Sequence, residues 1–187
     1  MGGRAEDALT RWAWLALLAA AIAIGAYLRF DRLGEPSYWL DEILHQHLTD
    51  LAAAKSWWQW FGQLHEEHAG LYYLTQLATR LFGTSEFAGR SAAAFLGLAT
   101  IPLLWLAPLE RPVRGAAVIL LAVSPLHVYY SREARGYALL LLLTAALIVI
   151  LMRGRSIAAA AVVLLALVYS SAVASTVVAS AAAVSFL

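Results

Sequence analysis

The sequence predicts an all-α, polytopic transmembrane helix bundle with a large first external loop that carries interfacial helices. Hydrophobic residues make up 62% of the 187 residues and charged residues 13%, with a mean hydropathy of +0.72. Soluble domains contain about 25% charged residues, so this composition is typical of an integral membrane protein. The chain has no cysteine, which excludes disulfides, thiolate catalysis and cysteine metal sites.

Uncharged apolar runs of spanning length define the predicted helices. The first run extends from Trp12 to Leu28, and Arg29 is expected to snorkel at its end. The stretch 156–187 is too long for one straight helix, and a turn is expected at Tyr169-Ser170-Ser171. Because that stretch stops within apolar sequence, we expect the N-terminal part of a longer bundle, with the C-terminal remainder absent. The predicted spans are about 12–30, 91–109, 115–131, 136–152 and 156–170, with a partial span at 174–187.

Arginine clusters predict the orientation, since basic residues collect on the cytoplasmic side. One cluster precedes the first predicted span, one joins the second to the third, and one follows the fourth. All three fall on the same side if 31–90 forms a single external loop. The clusters are Arg4 with Arg11, Arg111 with Arg114, and Arg153 with Arg155. We therefore expect a multi-pass protein of the cell membrane whose working surface is external.

The predicted external loop concentrates acidic and aromatic residues. It holds eight of the twelve carboxylates and four of the seven tryptophans. Trp57, Trp58, Trp60 and Phe61 are suited to headgroup depth. A membrane anchor without chemistry of its own is the favoured interpretation of this cluster, and it is compatible with a nearby active site. Arg80 interrupts the apolar stretch 71–82, so an interfacial helix is favoured there over a further span. Its expected apolar residues are Leu71, Leu74, Leu77, Ala78 and Leu81.

Asp41 and Glu42 form a carboxylate pair just beyond the end of the first span, within Tyr38-Trp39-Leu40-Asp41-Glu42. A carboxylate inside hydrocarbon would be costly, whereas one at the boundary stays ionised and can act on a headgroup. The alternative is a helix start after Pro36 and Ser37, because acidic residues are favoured in a first turn.

The histidines do not have the spacing of a zinc site. His45 and His47 are two residues apart and do not share a helical face. His65-Glu66-Glu67-His68 lacks the four-residue separation of the His-Glu-x-x-His ligands. A polar cluster near a charged headgroup is the favoured interpretation.

A second charged segment, Ser131-Arg132-Glu133-Ala134-Arg135-Gly136-Tyr137, lies between the third and fourth predicted spans on the external side. Arginines are unusual on that side, which favours a specific anionic partner. Arg135 can donate bidentate hydrogen bonds to a phosphate, and Tyr137 can donate its hydroxyl. The alternative is a local pair between Glu133 and an arginine that seals the loop.

These motifs together resemble the GT-C glycosyltransferases, above all the bacterial relatives of dolichyl-phosphate-mannose protein mannosyltransferases, including the lipid A aminoarabinose transferase type. The resemblance covers about residues 38–137. Two departures are His68-Ala69-Gly70 in place of His-Pro-Pro, and Tyr169-Ser170-Ser171 without the histidine of Thr-His-Tyr. The matching motifs, in order, are Trp39-Leu40-Asp41-Glu42, His68-Ala69-Gly70-Leu71-Tyr72-Tyr73-Leu74, Leu81-Phe82-Gly83-Thr84-Ser85-Glu86 with Arg90, Ser124-Pro125, and Tyr130 to Tyr137.

The resemblance implies an inverting hexosyl or pentosyl transfer from a polyprenyl-phosphate donor to a lipid, glycan or protein acceptor at the bilayer, with no nucleic acid involved. Asp41 falls on the family's acidic residue of the first loop, the expected general base, and Glu133 on its second acidic position. Glu42 and Glu133 would orient Asp41 or a divalent cation, Mg²⁺ or Mn²⁺, that Asp41 and Glu133 would hold. The substrate-binding residues are expected to be Arg135, Tyr137, His68, Tyr72, Tyr73, Lys55 and His65.

Two other classes of function compete with this interpretation. A transporter or flippase fragment would carry ionisable groups at mid-membrane. His127 is the only such side chain, tyrosine apart, inside a well-defined predicted span, and it lies near an end. The other alternative is a catalytically inactive fragment that binds lipid phosphate without transfer.

Overall fold

The computed structural model describes residues 2–53, 69–154 and 156–170. Every regular element in these ranges is an α-helix, so the predicted all-α class is confirmed for this part of the chain. The helices are α1 (Gly2–Phe30), α2 (Leu40–Ala53), α3 (Ala69–Phe82), α4 (Glu86–Trp105), α5 (Arg111–Val123), α6 (Pro125–Ser131), α7 (Tyr137–Met152) and α8 (Ile157–Ser170).

Two helices are long and apolar enough to cross a membrane. They are α4 and the segment Thr10–Phe30 of α1. The pair α5 and α6 would supply a third crossing if the two count as one bent span. The apolar helices α7 and α8 have 16 and 14 residues, which is below the usual spanning length of about 20. The number of crossings beyond these stays a prediction, and the partial span 174–187 lies outside the described residues.

Helix α4 is the central element, since α1, α3, α5, α6 and α7 all pack against it. Its first half is rich in small residues, including the fully buried Ala88, Ala93 and Ala94. Small side chains let neighbouring helices approach closely. At Gly97 the approach is so close that a Cβ atom would overlap the Ser131 side chain of α6. This packing fixes the end of α6 against α4.

The start of α4 differs from the expected uncharged span 91–109. Ser85 caps the helix by accepting a hydrogen bond from the Ala88 amide at 3.3 Å, so the helix begins five residues earlier, at Glu86. Arg90 is consequently part of the helix, and it is buried. It is paired with a carboxylate, which makes its burial tolerable.

The predicted span 115–131 is broken at Ser124 and Pro125. Helices α5 and α6 meet there at an angle of 55°. Leu121 loses its normal partner, because its carbonyl would accept a hydrogen bond from residue 125 and proline has no N–H. The Ser124 hydroxyl oxygen caps α6 by accepting from the His127 amide at 3.4 Å.

Arg29 occupies this break and does not snorkel to the surface as expected. Its side chain is completely buried. The guanidinium donates to the carbonyls of Ala122 at 3.1 Å and Leu121 at 3.3 Å, and to Nδ1 of His127 at 2.8 Å. It also donates to Gly25 in its own helix at 2.9 Å. The carbonyl-rich end of α5 attracts a cation, so the tertiary contacts turn Arg29 inward.

Helices α2 and α3 lie within the segment predicted as the external loop. A helix at Ala69–Phe82 agrees with the expected helix at 71–82. Leu74, Leu77 and Leu81 are exposed, but Ala78 is buried against Ala92 and Leu139 of the bundle. Within α2, His45 is buried and contacts Thr75 of α3 at 3.2 Å. His45 therefore packs two helices together.

Candidate functional site

A cavity of about 280 Å³ opens where α1 ends, α2 and α4 begin and α6 ends. Its walls combine aromatic, cationic and carboxylate side chains, the mixture found in binding sites with a few convergent polar groups. The lining residues are Leu33, Pro36, Ser37, Trp39, Glu42, Arg90, Tyr129, Arg132 and Glu133.

Glu42 and Arg90 form a buried bidentate ion pair in the wall of this cavity. Arg90 donates from Nε to Oε1 at 2.7 Å and from Nη2 to Oε2 at 2.6 Å. The Arg90 side chain is 6% exposed and the Glu42 side chain 1%. The parallel bonds of a guanidinium to a carboxylate fix both position and orientation. The pair therefore holds the first turn of α2 against α4.

The same arginine organises the connection between α1 and α2. Its Nη1 donates to the carbonyls of Pro36 at 2.6 Å and Leu33 at 3.1 Å, and Nη2 donates to that of Ser37 at 3.3 Å. The guanidinium carbon lies 5.0 Å from the centre of the Tyr38 ring. Burial raises the pKa of the Tyr38 phenol to about 12, although the nearby Arg90 charge opposes this shift.

Glu42 also joins this region to the turn after α6. Its Oε1 accepts a hydrogen bond from the Ala134 amide at 2.9 Å, and its Oε2 lies 3.4 Å from the Trp39 amide. Both carboxylate oxygens are thus engaged by the protein itself. These contacts make Glu42 a positioning residue that ties two site segments together. Its expected role in orienting Asp41 or a divalent cation stays a prediction.

Asp41 and Arg135, two predicted site residues, are in contact. An Arg135 Nη1 atom lies 3.2 Å from Oδ2 of Asp41, and both side chains are partly exposed, at 23% and 42%. Arg135 also donates to the Tyr137 hydroxyl at 2.9 Å. Its guanidinium carbon lies 4.7 Å from the Tyr137 ring centre and 5.4 Å from that of Trp39. Two aromatic rings and two polar groups therefore hold this cation at the protein surface.

Glu133 is buried, at 6% exposure, and lines the cavity. Its Oε2 atom has no hydrogen-bond partner among the described residues, while the Tyr129 phenol interacts with the carboxylate. A buried carboxylate oxygen without a donor carries a desolvation cost. This oxygen is accordingly suited to receive a hydroxyl or cationic group of a ligand.

The structure brings together five of the predicted site residues: Asp41, Glu42, Glu133, Arg135 and Tyr137. Glu133 and Glu42 line the cavity, whereas the Asp41–Arg135 pair lies beside it and is linked to it by Trp39. Among the side chains that the structure describes, no group of three or more histidine, aspartate or glutamate residues is arranged to hold a metal ion. Cation binding by Asp41 and Glu133 stays a prediction.

Several expected substrate residues are not tested by this geometry. Lys55, His65 and His68 lie outside the described residues, as does the aromatic cluster at 57–61. Tyr72 and Tyr73 belong to the first half of α3.

Sequence reasoning did not place Arg90 and Arg132 in the site. In the sequence, Arg90 stands out only as part of a motif. The signal that could have identified it is a single arginine at the start of an otherwise apolar helix, because such a buried charge requires a partner. Arg132 lines the cavity and donates to the Leu28 carbonyl at the end of α1 at 2.7 Å. Arg132 and Leu28 are 104 positions apart in the chain, and no local sequence pattern predicts a contact over that separation.

Comparison with known proteins does not identify a family or a function for this site. No protein-family model matches the chain, and no curated protein or solved structure is significantly similar to it.

Proposed function

We propose that this chain functions as a polytopic membrane glycosyltransferase of the GT-C type, which transfers a sugar from a polyprenyl-phosphate donor at the external membrane face. The observation that carries the proposal is the Asp41–Arg135 pair beside a cavity lined by the buried Glu133. Asp41 is the carboxylate base, Arg135 is the cation for a phosphate, and the cavity lined by Glu133 is the polar pocket of the same site. The motif resemblance between residues 38 and 137 supports the same function.

In the proposed reaction, an acceptor hydroxyl attacks the anomeric carbon of the donor while the bond from that carbon to the lipid-phosphate oxygen breaks. The acceptor proton passes to Asp41, which contributes about 10²–10⁴-fold as a general base. The bonding electrons leave with the phosphate, and Arg135 stabilises its charge. Tyr137 keeps the Arg135 guanidinium in place through its hydroxyl and ring.

The ion pair itself provides a way to couple donor binding to catalysis. Without donor, Asp41 and Arg135 neutralise each other at 3.2 Å. A phosphate that binds bidentately to Arg135 competes for the same guanidinium. Asp41 is then released to accept a proton from the acceptor. Glu133, with its unpartnered Oε2, is available to accept a hydrogen bond from a sugar or acceptor hydroxyl.

Asp41→Asn tests the base assignment. The amide cannot accept the acceptor proton, so turnover of a radiolabelled polyprenyl-phosphate hexose should fall by about 10²-fold or more. Binding of polyprenyl phosphate should be retained or strengthened, because Arg135 loses its competing carboxylate. Asp50→Asn, at an exposed position of the same helix, is the matched control and should leave turnover unchanged.

The outcomes separate transfer from binding alone. Phosphate binding without turnover in the wild-type protein, across hexose and pentose donors, would favour a lipid-phosphate-binding protein that does no chemistry. Turnover that survives Asp41→Asn within about threefold would remove Asp41 from the role of base.

A further inference from the structure

A second polar cavity lies at the opposite end of the helices from the Asp41 site. It has a volume of about 200 Å³ and is formed by the first part of α1, the end of α4 and the start of α5. Its lining contains three arginines, two tryptophans and one leucine, and no acidic residue. The lining residues are Arg11, Trp14, Leu15, Trp105, Arg111 and Arg114.

Packing between the helices shapes this cavity. Gly115 allows the Trp14 ring to lie directly against α5, since a Cβ atom at Gly115 would contact that ring at 2.6 Å. The Arg114 guanidinium carbon lies 5.1 Å from the Trp105 ring centre, and Nη1 donates to the Trp105 carbonyl at 3.4 Å. Arg114 is thus held in position by α4, and less side-chain entropy is lost when it binds a ligand.

The positive charge of the cavity is not neutralised by the side chains that the structure describes. Among the described side chains, which in α1 begin at Thr10, Arg11, Arg111 and Arg114 form no ion pair, and the Arg114 Nε atom is buried without a hydrogen-bond partner. The adjacent Glu110 is exposed and makes no side-chain capping bond. Three guanidinium groups next to indole rings are suited to a phosphate at the membrane interface, because arginine binds phosphate and tryptophan collects at headgroup depth.

A separate apolar groove lies further along the seam between α1 and α5. It has a volume of about 180 Å³, and only apolar side chains line it: Leu17, Ala20, Ala21, Ile24, Ile119, Ala122 and Val123. At 1.5 Å rise per residue, the groove extends from about 9 to 20 Å beyond Arg11 along α1. One leaflet of hydrocarbon is about 15 Å thick, so the groove covers the depth of an acyl chain.

We propose that these two features together bind one anionic phospholipid, with its phosphate at the arginine cavity and an acyl chain in the groove between α1 and α5. A free phosphate ion would explain the arginines but leave the apolar groove without a function, and an uncharged lipid would explain only the groove. Basic pockets between membrane helices are known binding sites for acidic lipid headgroups. The inference rests on the proposed membrane placement and not on the proposed sugar transfer.

Lipid binding to the purified protein, measured by native mass spectrometry from detergent, tests this site. Phosphatidylglycerol is compared with phosphatidylcholine, and inorganic phosphate is added separately as a competitor. We expect phosphatidylglycerol to bind at least about tenfold more tightly than phosphatidylcholine, as each basic residue contributes about fivefold near an acidic headgroup. Equal binding of the two lipids would overturn the proposal.

Variants separate the two parts of the site. Arg111→Gln with Arg114→Gln should weaken phosphatidylglycerol binding by about 10–30-fold, and Arg80→Gln, an exposed arginine on α3, should change it less than twofold. If the double variant fails to fold by circular dichroism, the exposed Arg111→Gln alone should still weaken binding by about fivefold. Unchanged binding in that single variant would refute the phosphate contact.

Ala20→Phe fills the apolar groove without changing charge, since Ala20 is an exposed lining residue. It should weaken phosphatidylglycerol binding severalfold and leave any binding of inorganic phosphate unchanged. If phosphate binds and the lipid is insensitive to Ala20→Phe, the cavity is a phosphate site alone and the lipid proposal is wrong. Loss of sugar transfer in any variant is not a criterion, so this test is independent of the proposed reaction.

Discussion

Glu42 and Arg90, 48 residues apart, form a bidentate ion pair that is almost completely buried between the first turn of α2 and the first turns of α4. Glu42 also accepts a hydrogen bond from the Ala134 amide, and Arg90 donates to three carbonyls of the α1–α2 connection. The pair therefore connects three segments that each contribute to the candidate site. Asp41 and Arg135 lie on two of those segments, and their contact depends on this framework.

Removing one partner of this pair should be strongly destabilising. Glu42→Gln leaves a buried guanidinium without a counter-charge and should lower the free energy of unfolding by about 3–5 kcal/mol. The matched control is Glu35→Gln, which breaks the exposed Arg32–Glu35 pair at 3.4 Å and should cost less than about 1 kcal/mol. Denaturant unfolding followed by circular dichroism measures both. Equal effects of the two substitutions would contradict the framework role of Glu42.

Arg29 and Pro125 should be energetically coupled. Arg29→Met removes the donors to Leu121 and Ala122 and should cost about 2 kcal/mol or more, because buried carbonyls lose their partners. Pro125→Ala restores a backbone N–H that can reach the Leu121 carbonyl in a continuous helix. The double variant should therefore recover part of the lost stability. Strict additivity in this double-mutant cycle would show that Arg29 only fills space.

Arg135→Lys should impair function while leaving the fold intact. Lysine keeps the charge, but it cannot bind a phosphate bidentately while also contacting the Tyr137 hydroxyl and two aromatic rings. We expect about a tenfold or greater loss of polyprenyl-phosphate binding, with an unchanged unfolding curve. Arg153→Lys, at the far end of α7, serves as the control. Wild-type binding in Arg135→Lys would leave Arg135 as a structural partner of Asp41.

Tyr38 should make stability depend on alkaline pH. Its pKa in the folded protein is about 12, above the ordinary value of about 10. The folded state thus favours the neutral phenol, and the contribution is complete below pH 10 and lost as the pH rises through 12. Comparing unfolding of the wild type and Tyr38→Phe between pH 9 and 12 isolates this residue. Parallel curves for the two proteins would refute the shift.

Single cysteines test the predicted orientation in this cysteine-free chain. Ala134 lies in the second charged segment, but it is fully buried and should label poorly. The exposed positions Asp31 and Glu110 lie at opposite ends of the helices. Asp31→Cys should react with an impermeant thiol reagent in intact cells, and Glu110→Cys should react only after permeabilisation. The reverse pattern would invert the topology.

The sequence predicted the helical class and located most helices. Long apolar runs and prolines determine helix formation and helix ends through local interactions, so the sequence alone is sufficient to detect them. It predicted the end of the first helix near residue 30 and the helix at 71–82, but not the break at Ser124. The motif Ser124-Pro125 was recognised without its consequence for the Leu121 carbonyl. The early start of α4 was also missed, although Ser85 has the character of an N-cap. The break at Ser124 and the N-cap at Ser85 are both short-range features, and a prediction based only on the length of apolar runs does not detect them.

For the candidate site too, the sequence predicted one part and only the tertiary structure showed the other. Sequence identified Asp41, Glu42, Glu133 and Arg135 as chemically distinctive and placed them at the same membrane boundary. It did not determine which of two adjacent carboxylates turns inward, because neighbouring residues on a helix point about 100° apart and the rotation of α2 is fixed only by packing. The tertiary structure decided that Glu42 meets Arg90 and Asp41 meets Arg135. These pairings depend on contacts between distant segments, which the local order of residues does not encode.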